Sequence, residues 1–209
     1  MKKICMILIA LIAWFALVLQ ISLSIRSMPV TGFSLFKTVV NFFSYFTILS
    51  NLLVALTLSL SLLRPVSFFS GIQVQTAIAV YIFIVGLIYN LVLRNIWNPT
   101  GWQLVADNLL HVVVPVLYLA YWIIFTSKKM LHPKNITGWL IFPFLYLAYS
   151  LIRGTIANWY PYPFVNAAEL GYEKVALNSF FVVMAFLVVG LALIGVNQLD
   201  AKTGAKRES

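Results

Sequence analysis

Charge is what this chain most lacks. Only 9% of its 209 residues are Asp, Glu, Lys or Arg, while 62% are hydrophobic. Soluble domains carry about 25% charged residues, so a water-soluble globule is excluded and an integral membrane protein is indicated. Cysteine is almost missing as well: Cys5 stands alone in the first apolar run, which rules out an intramolecular disulfide. Acidic residues number five and histidines two. One intramembrane histidine and one aspartate do not make a metal site, so no metal is expected. No phosphate loop, dinucleotide fingerprint, inverted repeat, low-complexity tract or soluble domain is present, and no cofactor is expected. The net charge of +9 does not indicate nucleic acid, because the basic residues collect at the ends of apolar runs rather than in a patch with interleaved aromatics.

What is there is apolar length. A transmembrane helix needs about 20 mostly apolar residues, and six segments qualify: 4–24, 38–62, 74–93, 104–125, 137–153 and 175–196. The expected fold is an all-α, six-helix transmembrane domain over the whole chain, closed by a short polar and disordered tail at 197–209. Lys2 and Lys3 before an apolar run, with Ser22-Leu23-Ser24 after it, resemble a signal peptide. The apolar run nevertheless continues far enough to span, and it is read as a retained helix. The fifth segment is the least apolar, because Tyr146, Tyr149, Ser150 and Arg153 crowd one face.

With the N-terminus inside, nine of the 14 Lys and Arg residues fall at inner helix ends (Lys128, Lys129 and Lys134 among them) and five at outer ends. That bias predicts both termini in the cytoplasm. The one long connection, 153–174, is outer and rich in Trp, Tyr and Pro. It reads first as an interfacial anchor and second as a lid over the bundle.

Polar side chains inside the membrane are costly and mark function or interhelical contact. In the second segment Asn41, Ser44, Thr47 and Asn51 share one face, within about a 120° arc at 100° per residue. The same outer half holds Asn90 and Arg94 on helix three, Asp107, Asn108 and His111 on helix four, Ser150 and Arg153 on helix five, and Asn178 on helix six. The inner half has only scattered hydroxyls such as Thr57, Ser59 and Ser61. A polar chamber over an apolar floor is the result. At 1.5 Å rise per residue, Thr47 lies roughly 15 Å below the outer edge and His111 roughly 10–12 Å, so the two share a depth.

A threonine alone is more often bonded to its own helix than reactive. As a nucleophile it needs an adjacent base, and His111 is the only histidine within the membrane, since His132 sits in the inner loop. Asp107 stands four residues before His111, close enough to orient it, although i, i+4 on one helix is an awkward triad geometry. Pro115 removes the N–H that would serve the His111 carbonyl and predicts a kink there. The plain alternatives are an interhelical hydrogen bond for His111 and interfacial ion pairing for Arg94, Arg153 and Asp107. The functional one is an arginine holding a substrate carboxylate.

Three stretches carry a resemblance: Phe46-Thr47-Ile48, His111-Val112-Val113-Val114-Pro115 and Trp159-Tyr160-Pro161-Tyr162-Pro163-Phe164. Over nearly its whole length the chain resembles the bacterial branch of the six-helix family that includes the human androgen-induced protein and the androgen-dependent TFPI-regulating protein. Ser50-Asn51 stands where the human pattern has an acidic residue. The resemblance implies an intramembrane threonine hydrolase acting on fatty-acid esters, with Thr47 as nucleophile and His111 as general base. Asn51, Asn90, Arg94, Asp107, Asn108, Arg153 and Asn178 are the candidate substrate-binding or supporting residues. The expected partners are a lipid or fatty-acid ester substrate and the membrane lipids. The competing expectation is a lipid or small-molecule binding or transport protein that uses the same chamber without catalysis, and the third is a structural partner of another membrane complex.

Overall fold

In hydrocarbon, every backbone N–H and C=O must find its partner within the segment, so apolar runs of this length close into helices. The computed structural model describes residues 1–64, 68–126 and 131–207, with side chains described through 199. Among the described residues there are helices and no strands. Six helices are long and apolar enough to cross a membrane: Lys2–Arg26, Phe46–Leu63, Ile72–Leu93, Gly101–Phe125, Asn135–Ala157 and Tyr172–Leu199. The six-helix transmembrane fold stands, and an even number of crossings brings both termini to the same side.

The described residues form ten α-helical pieces. They are α1 (Lys2–Arg26), α2 (Met28–Thr31), α3 (Leu35–Phe43), α4 (Phe46–Leu63), α5 (Ile72–Ile88), α6 (Gly101–Asn108), α7 (Val114–Phe125), α8 (Asn135–Ala157), α9 (Ala167–Leu170) and α10 (Tyr172–Arg207). Of these, α2, α3 and α9 lie outside the six spans. α1 lies against α4. Its Ala10, Ala13 and Ala16 are all but fully buried, and small residues at this spacing let helix axes approach closely. α5 runs through the middle, with Ala79 and Ile82 wholly buried. α8 is peripheral: Ile141, Phe144, Leu145 and Ile152 all point outward, as lipid-facing positions do.

Among the described residues, regular helix is broken at three places in the half of the bundle away from the termini. The second apolar segment, 38–62, is split between two helices, with Ser44 and Tyr45 between α3 and α4. No glycine or proline marks this break; hydroxyls from elsewhere replace the lost helical bonds. Tyr146 Oη donates to the Ser44 carbonyl at 2.9 Å, and Ser44 Oγ bonds Tyr149 Oη at 2.8 Å.

The fourth span widens into a π turn over Leu109–Val113, where the Val114 N–H bonds the Leu109 carbonyl five residues back. Pro115 comes next and has no N–H. The carbonyls of Leu110 and His111 therefore both lack their usual helical donor. The third span ends in a second π turn over Tyr89–Leu93.

Two further expectations change. The chain after Val196 stays helical to Arg207. Asn197 Oδ1 accepts from the Leu131 N–H at 3.1 Å and Gln198 Nε2 donates to the Leu131 carbonyl at 3.0 Å, so the helix is tied to the inner loop. Residues 208–209 and the side chains of Lys202, Lys206 and Arg207 lie outside the described set, as do Lys128 and Lys129. The inner half is also not simply apolar. Trp122 Nε1 donates to Thr76 Oγ1 at 2.9 Å, and Thr126 Oγ1 to Gln75 Oε1 at 3.3 Å. Gln75, which does not stand out in the sequence, organises this inner cluster.

Candidate active site

Thr47 is the second residue of α4, in the turn whose first N–H groups have no helical partner. Tyr45, at the N-cap, is extended (φ −86°, ψ 127°) and gives no side-chain cap. The cap comes through space: the Thr47 N–H donates to Tyr162 Oη at 3.1 Å. Thr47 Oγ1 lies 3.1 Å from the same phenol oxygen and 3.3 Å from His111 Nε2. Two residues 64 apart in sequence, matched in depth by helical rise alone, are in contact.

His111 sits in the π turn. Its Nδ1 is 3.0 Å from the Asp107 backbone carbonyl and 3.3 Å from Asp107 Oδ1. The two side chains are 13% and 5% exposed, so the pair is shielded from solvent. Tyr89 stacks on the imidazole, rings 4.2 Å apart and 15° from parallel, and its hydroxyl donates to Asp107 Oδ2. At i, i+4 on one helix, Asp107 reaches Nδ1 with its side chain and its main chain together.

Proton directions are set by this network. A backbone carbonyl only accepts, so Nδ1 carries the imidazole proton and Nε2 presents its lone pair to Thr47. The single hydroxyl proton of Thr47 goes to Nε2, and the Tyr162 O–H then donates to Thr47 Oγ1. The chain Tyr162 → Thr47 → His111 → Asp107 runs one way, and Tyr89 closes it from the other side. Burial pushes the Tyr162 phenol up to about 12, against the opposing pull of its hydrogen bonds with Thr47. Near neutrality it is a hydrogen-bond donor.

Asn51, wholly buried, holds the two halves together: Nδ2 donates to the Thr47 carbonyl at 2.8 Å and to the Leu110 carbonyl at 3.1 Å. Gly86 of α5 packs on the same turn, where a Cβ would come within 3.1 Å of the His111 carbonyl and 3.4 Å of Pro115 Cβ.

The remaining candidates separate. Arg153 donates through Nη2 to Asn41 Oδ1 and lies over the Trp159 ring at 4.6 Å, while its buried Nη1 has no partner. Asn178 Nδ2 holds the Phe164 carbonyl at 2.9 Å and so fixes the outer loop. Asn90 and Arg94 are exposed and bond each other at 3.0 Å, and Asn108 bonds the Leu104 carbonyl of its own helix at 3.0 Å. Among the described residues, none of these three hydrogen-bonds Thr47 or His111. Arg94 and Arg153 form no ion pair among the described residues; Asp107 is engaged by His111 and Tyr89 instead.

The outer loop does more than anchor at the interface. Tyr162 reaches inward to Thr47, Phe164 stacks on it with centroids 5.2 Å apart, and the Tyr160 ring fills the place a Cβ on Gly154 would need. Tyr162 and Tyr89 are the two site residues that sequence reasoning missed. The signal for Tyr162 was its position between Pro161 and Pro163, which restrict the backbone on both sides.

An apolar groove opens beside Thr47 between α5, α8, α10 and the outer loop. It measures about 770 Å³ with its mouth included, and Phe46, Val85, Tyr146, Tyr162, Val182 and Phe186 are among its walls. Thr47 belongs to that lining and His111 does not. Thr47 therefore stands between the groove and the imidazole. Among the described residues no His/Cys/Asp/Glu group could hold a metal ion. No family model, no curated protein and no solved structure matches the chain.

Proposed function

We propose that this membrane protein hydrolyses lipid esters by acyl transfer to Thr47, with His111 as general base. The observation that carries the reading is the 3.3 Å contact from Thr47 Oγ1 to His111 Nε2, with Nδ1 held on Asp107. A threonine hydroxyl is barely ionised at neutral pH, and an adjacent, oriented imidazole is what makes it a nucleophile. In the forward half-reaction, Oγ1 bonds the ester carbonyl carbon and its proton passes to Nε2. The C–O bond to the alcohol then breaks, and Nε2–H protonates the departing alkoxide. Water repeats the sequence on the acyl-threonine and releases the fatty acid.

The groove supports a fatty-acyl substrate. Its walls are apolar, and α8, its outermost wall, faces the bilayer. Arg153 supports a carboxylate on the substrate: its buried Nη1 has no protein partner, and an unpaired buried cationic nitrogen is costly until an anion meets it. With both termini in the cytoplasm, as the basic residues suggest, the site takes its substrate from the outer leaflet of a bacterial plasma membrane.

The test is turnover of a panel of fatty-acid esters by detergent-solubilised wild type, Thr47→Ala and His111→Ala, each checked for intact folding. Hydrolysis in the wild type that is lost in both variants supports the reading. Saturable binding of the same esters by wild type, with no release of fatty acid, rejects it in favour of a lipid-binding protein.

A further inference from the structure

An acyl transfer through Thr47 leaves one chemical demand unmet by the Thr47–His111–Asp107 set. As the ester carbonyl becomes tetrahedral its oxygen takes a full negative charge, and donors aimed at that oxygen commonly supply the largest single catalytic term. None of His111, Asp107 or Asn51 is free to do this. The imidazole protons face Asp107 and the reacting oxygen, and both Asn51 donor contacts go to backbone carbonyls.

We infer that Tyr162 is a third catalytic group, which donates its phenol proton in a hydrogen bond to the oxyanion. The inference rests on the hydrolase reading above. Tyr162 Oη stands 3.1 Å from the nucleophilic oxygen and 3.1 Å from the Thr47 N–H, and its ring lines the acyl groove. No other side-chain hydroxyl among the described residues bonds Thr47 Oγ1. In the resting site, the phenol O–H points to Thr47 Oγ1. Once Oγ1 is bonded to carbon it becomes an ester-type oxygen and a poor acceptor. The carbonyl oxygen one bond further on now holds the former π electron pair, and the phenol proton turns to it. The Thr47 N–H, which Tyr162 Oη accepts before reaction, is released toward the same oxygen. On collapse the pair returns to the C=O bond, the alcohol leaves with the Nε2 proton, and the phenol returns to Thr47. Tyr162 keeps its proton throughout, and a phenol raised by burial is suited to that.

The loop is built to hold the phenol there. Phe164 stacks on the Tyr162 ring, Asn178 pins the Phe164 carbonyl, and Tyr45 meets Tyr162 edge to face at 5.7 Å. A group that merely anchored the loop at the interface would not need its hydroxyl at the nucleophile.

The experiment uses the full chain in lipid nanodiscs and two long-chain ketones. A trifluoromethyl ketone adds Thr47 Oγ1 and forms a stable tetrahedral oxyanion, whereas the matching methyl ketone only occupies the groove. For Tyr162→Phe, affinity for the trifluoromethyl ketone and kcat should each fall about 100-fold, the loss expected for one oxyanion donor, with methyl ketone affinity and KM held within about threefold. Equal trifluoromethyl ketone affinity in both proteins overturns the inference, as does an equal loss for both ketones, which would make Tyr162 a structural cap only. If Tyr162→Phe does not fold, 3,5-difluorotyrosine at position 162 keeps the hydroxyl and strengthens it as a donor. Trifluoromethyl ketone affinity should then rise about twofold or more at neutral pH, and no rise overturns the inference. A wild type that forms no adduct with the trifluoromethyl ketone rejects the hydrolase reading itself.

Discussion

Asn51 Nδ2 reaches the Leu110 carbonyl at 3.1 Å, the carbonyl that the widened turn before Pro115 passes over. One amide thus supplies the donor that the π turn withholds from Leu110, and it does so from the helix that carries Thr47. Asn51→Leu keeps the volume and deletes the donor. It should destabilise the fold by about 1–3 kcal/mol, the cost of leaving a buried acceptor unsatisfied, and lower acyl transfer by loosening the Thr47–His111 register. Thermal melts in one detergent, paired with turnover, check both effects.

Gly86 is the close approach between α5 and the His111 turn. Gly86→Ala places a Cβ 3.1 Å from the His111 carbonyl, tighter than ordinary contact, and should cost about 1–3 kcal/mol by overpacking. Gly86→Val should cost more and, on the hydrolase reading, reduce kcat further, because the displaced turn carries His111. A melting series across Gly, Ala and Val tests the order; equal stability in all three contradicts it.

Asp107 holds Nδ1 by carboxylate and by main chain. In a triad where the carboxylate alone sets the tautomer, its amide variant loses about 10⁴-fold. Here the main-chain carbonyl at 3.0 Å still fixes Nδ1–H in Asp107→Asn, so kcat should fall only about 10- to 100-fold, through weaker stabilisation of the imidazolium. Tyr89→Phe, which removes one donor from the carboxylate, should cost less. Steady-state kinetics of the two variants give the comparison.

The Tyr162 phenol has a pH signature. Its folded pKa of about 12 lies above the unfolded value of about 10. Stability from the neutral, hydrogen-bonded phenol is therefore fully present below about pH 10 and is lost as pH rises from there through about 12. Melting temperatures of wild type and Tyr162→Phe should converge over that interval and stay parallel below it. A constant difference up to pH 12 would contradict the assignment.

Much of the fold and part of the site are legible in the sequence, for physical reasons that can be named. Apolar length sets the six spans. Helical rise brings Thr47 and His111 to one depth, and Pro115 marks the irregular turn. What stays hidden depends on contacts through space. The break at Ser44 and Tyr45 has no glycine or proline and is held by Tyr146 and Tyr149 from α8. Tyr162 reaches Thr47 across 115 residues of chain; the prolines on either side restrict its backbone but do not identify the partner of its hydroxyl. Asn90, Arg94 and Asn108 resemble site residues because polar groups at a helix end and polar groups in a chamber read alike in one dimension. The inner cluster of Gln75 and Thr126 escapes notice for a related reason, since each looks like the polar end of an apolar run.

The measurement that bears most directly on the Thr47–His111 assignment is covalent labelling. Purified wild type, Thr47→Ala and His111→Ala are treated with a long-chain fluorophosphonate, and the adduct is located by peptide mass spectrometry. A nucleophilic Thr47 served by His111 predicts a single phosphonylated residue, Thr47, in the wild type, none in Thr47→Ala, and labelling slowed by about 100-fold or more in His111→Ala. Labelling at another residue, or a rate at Thr47 that does not depend on His111, would contradict it.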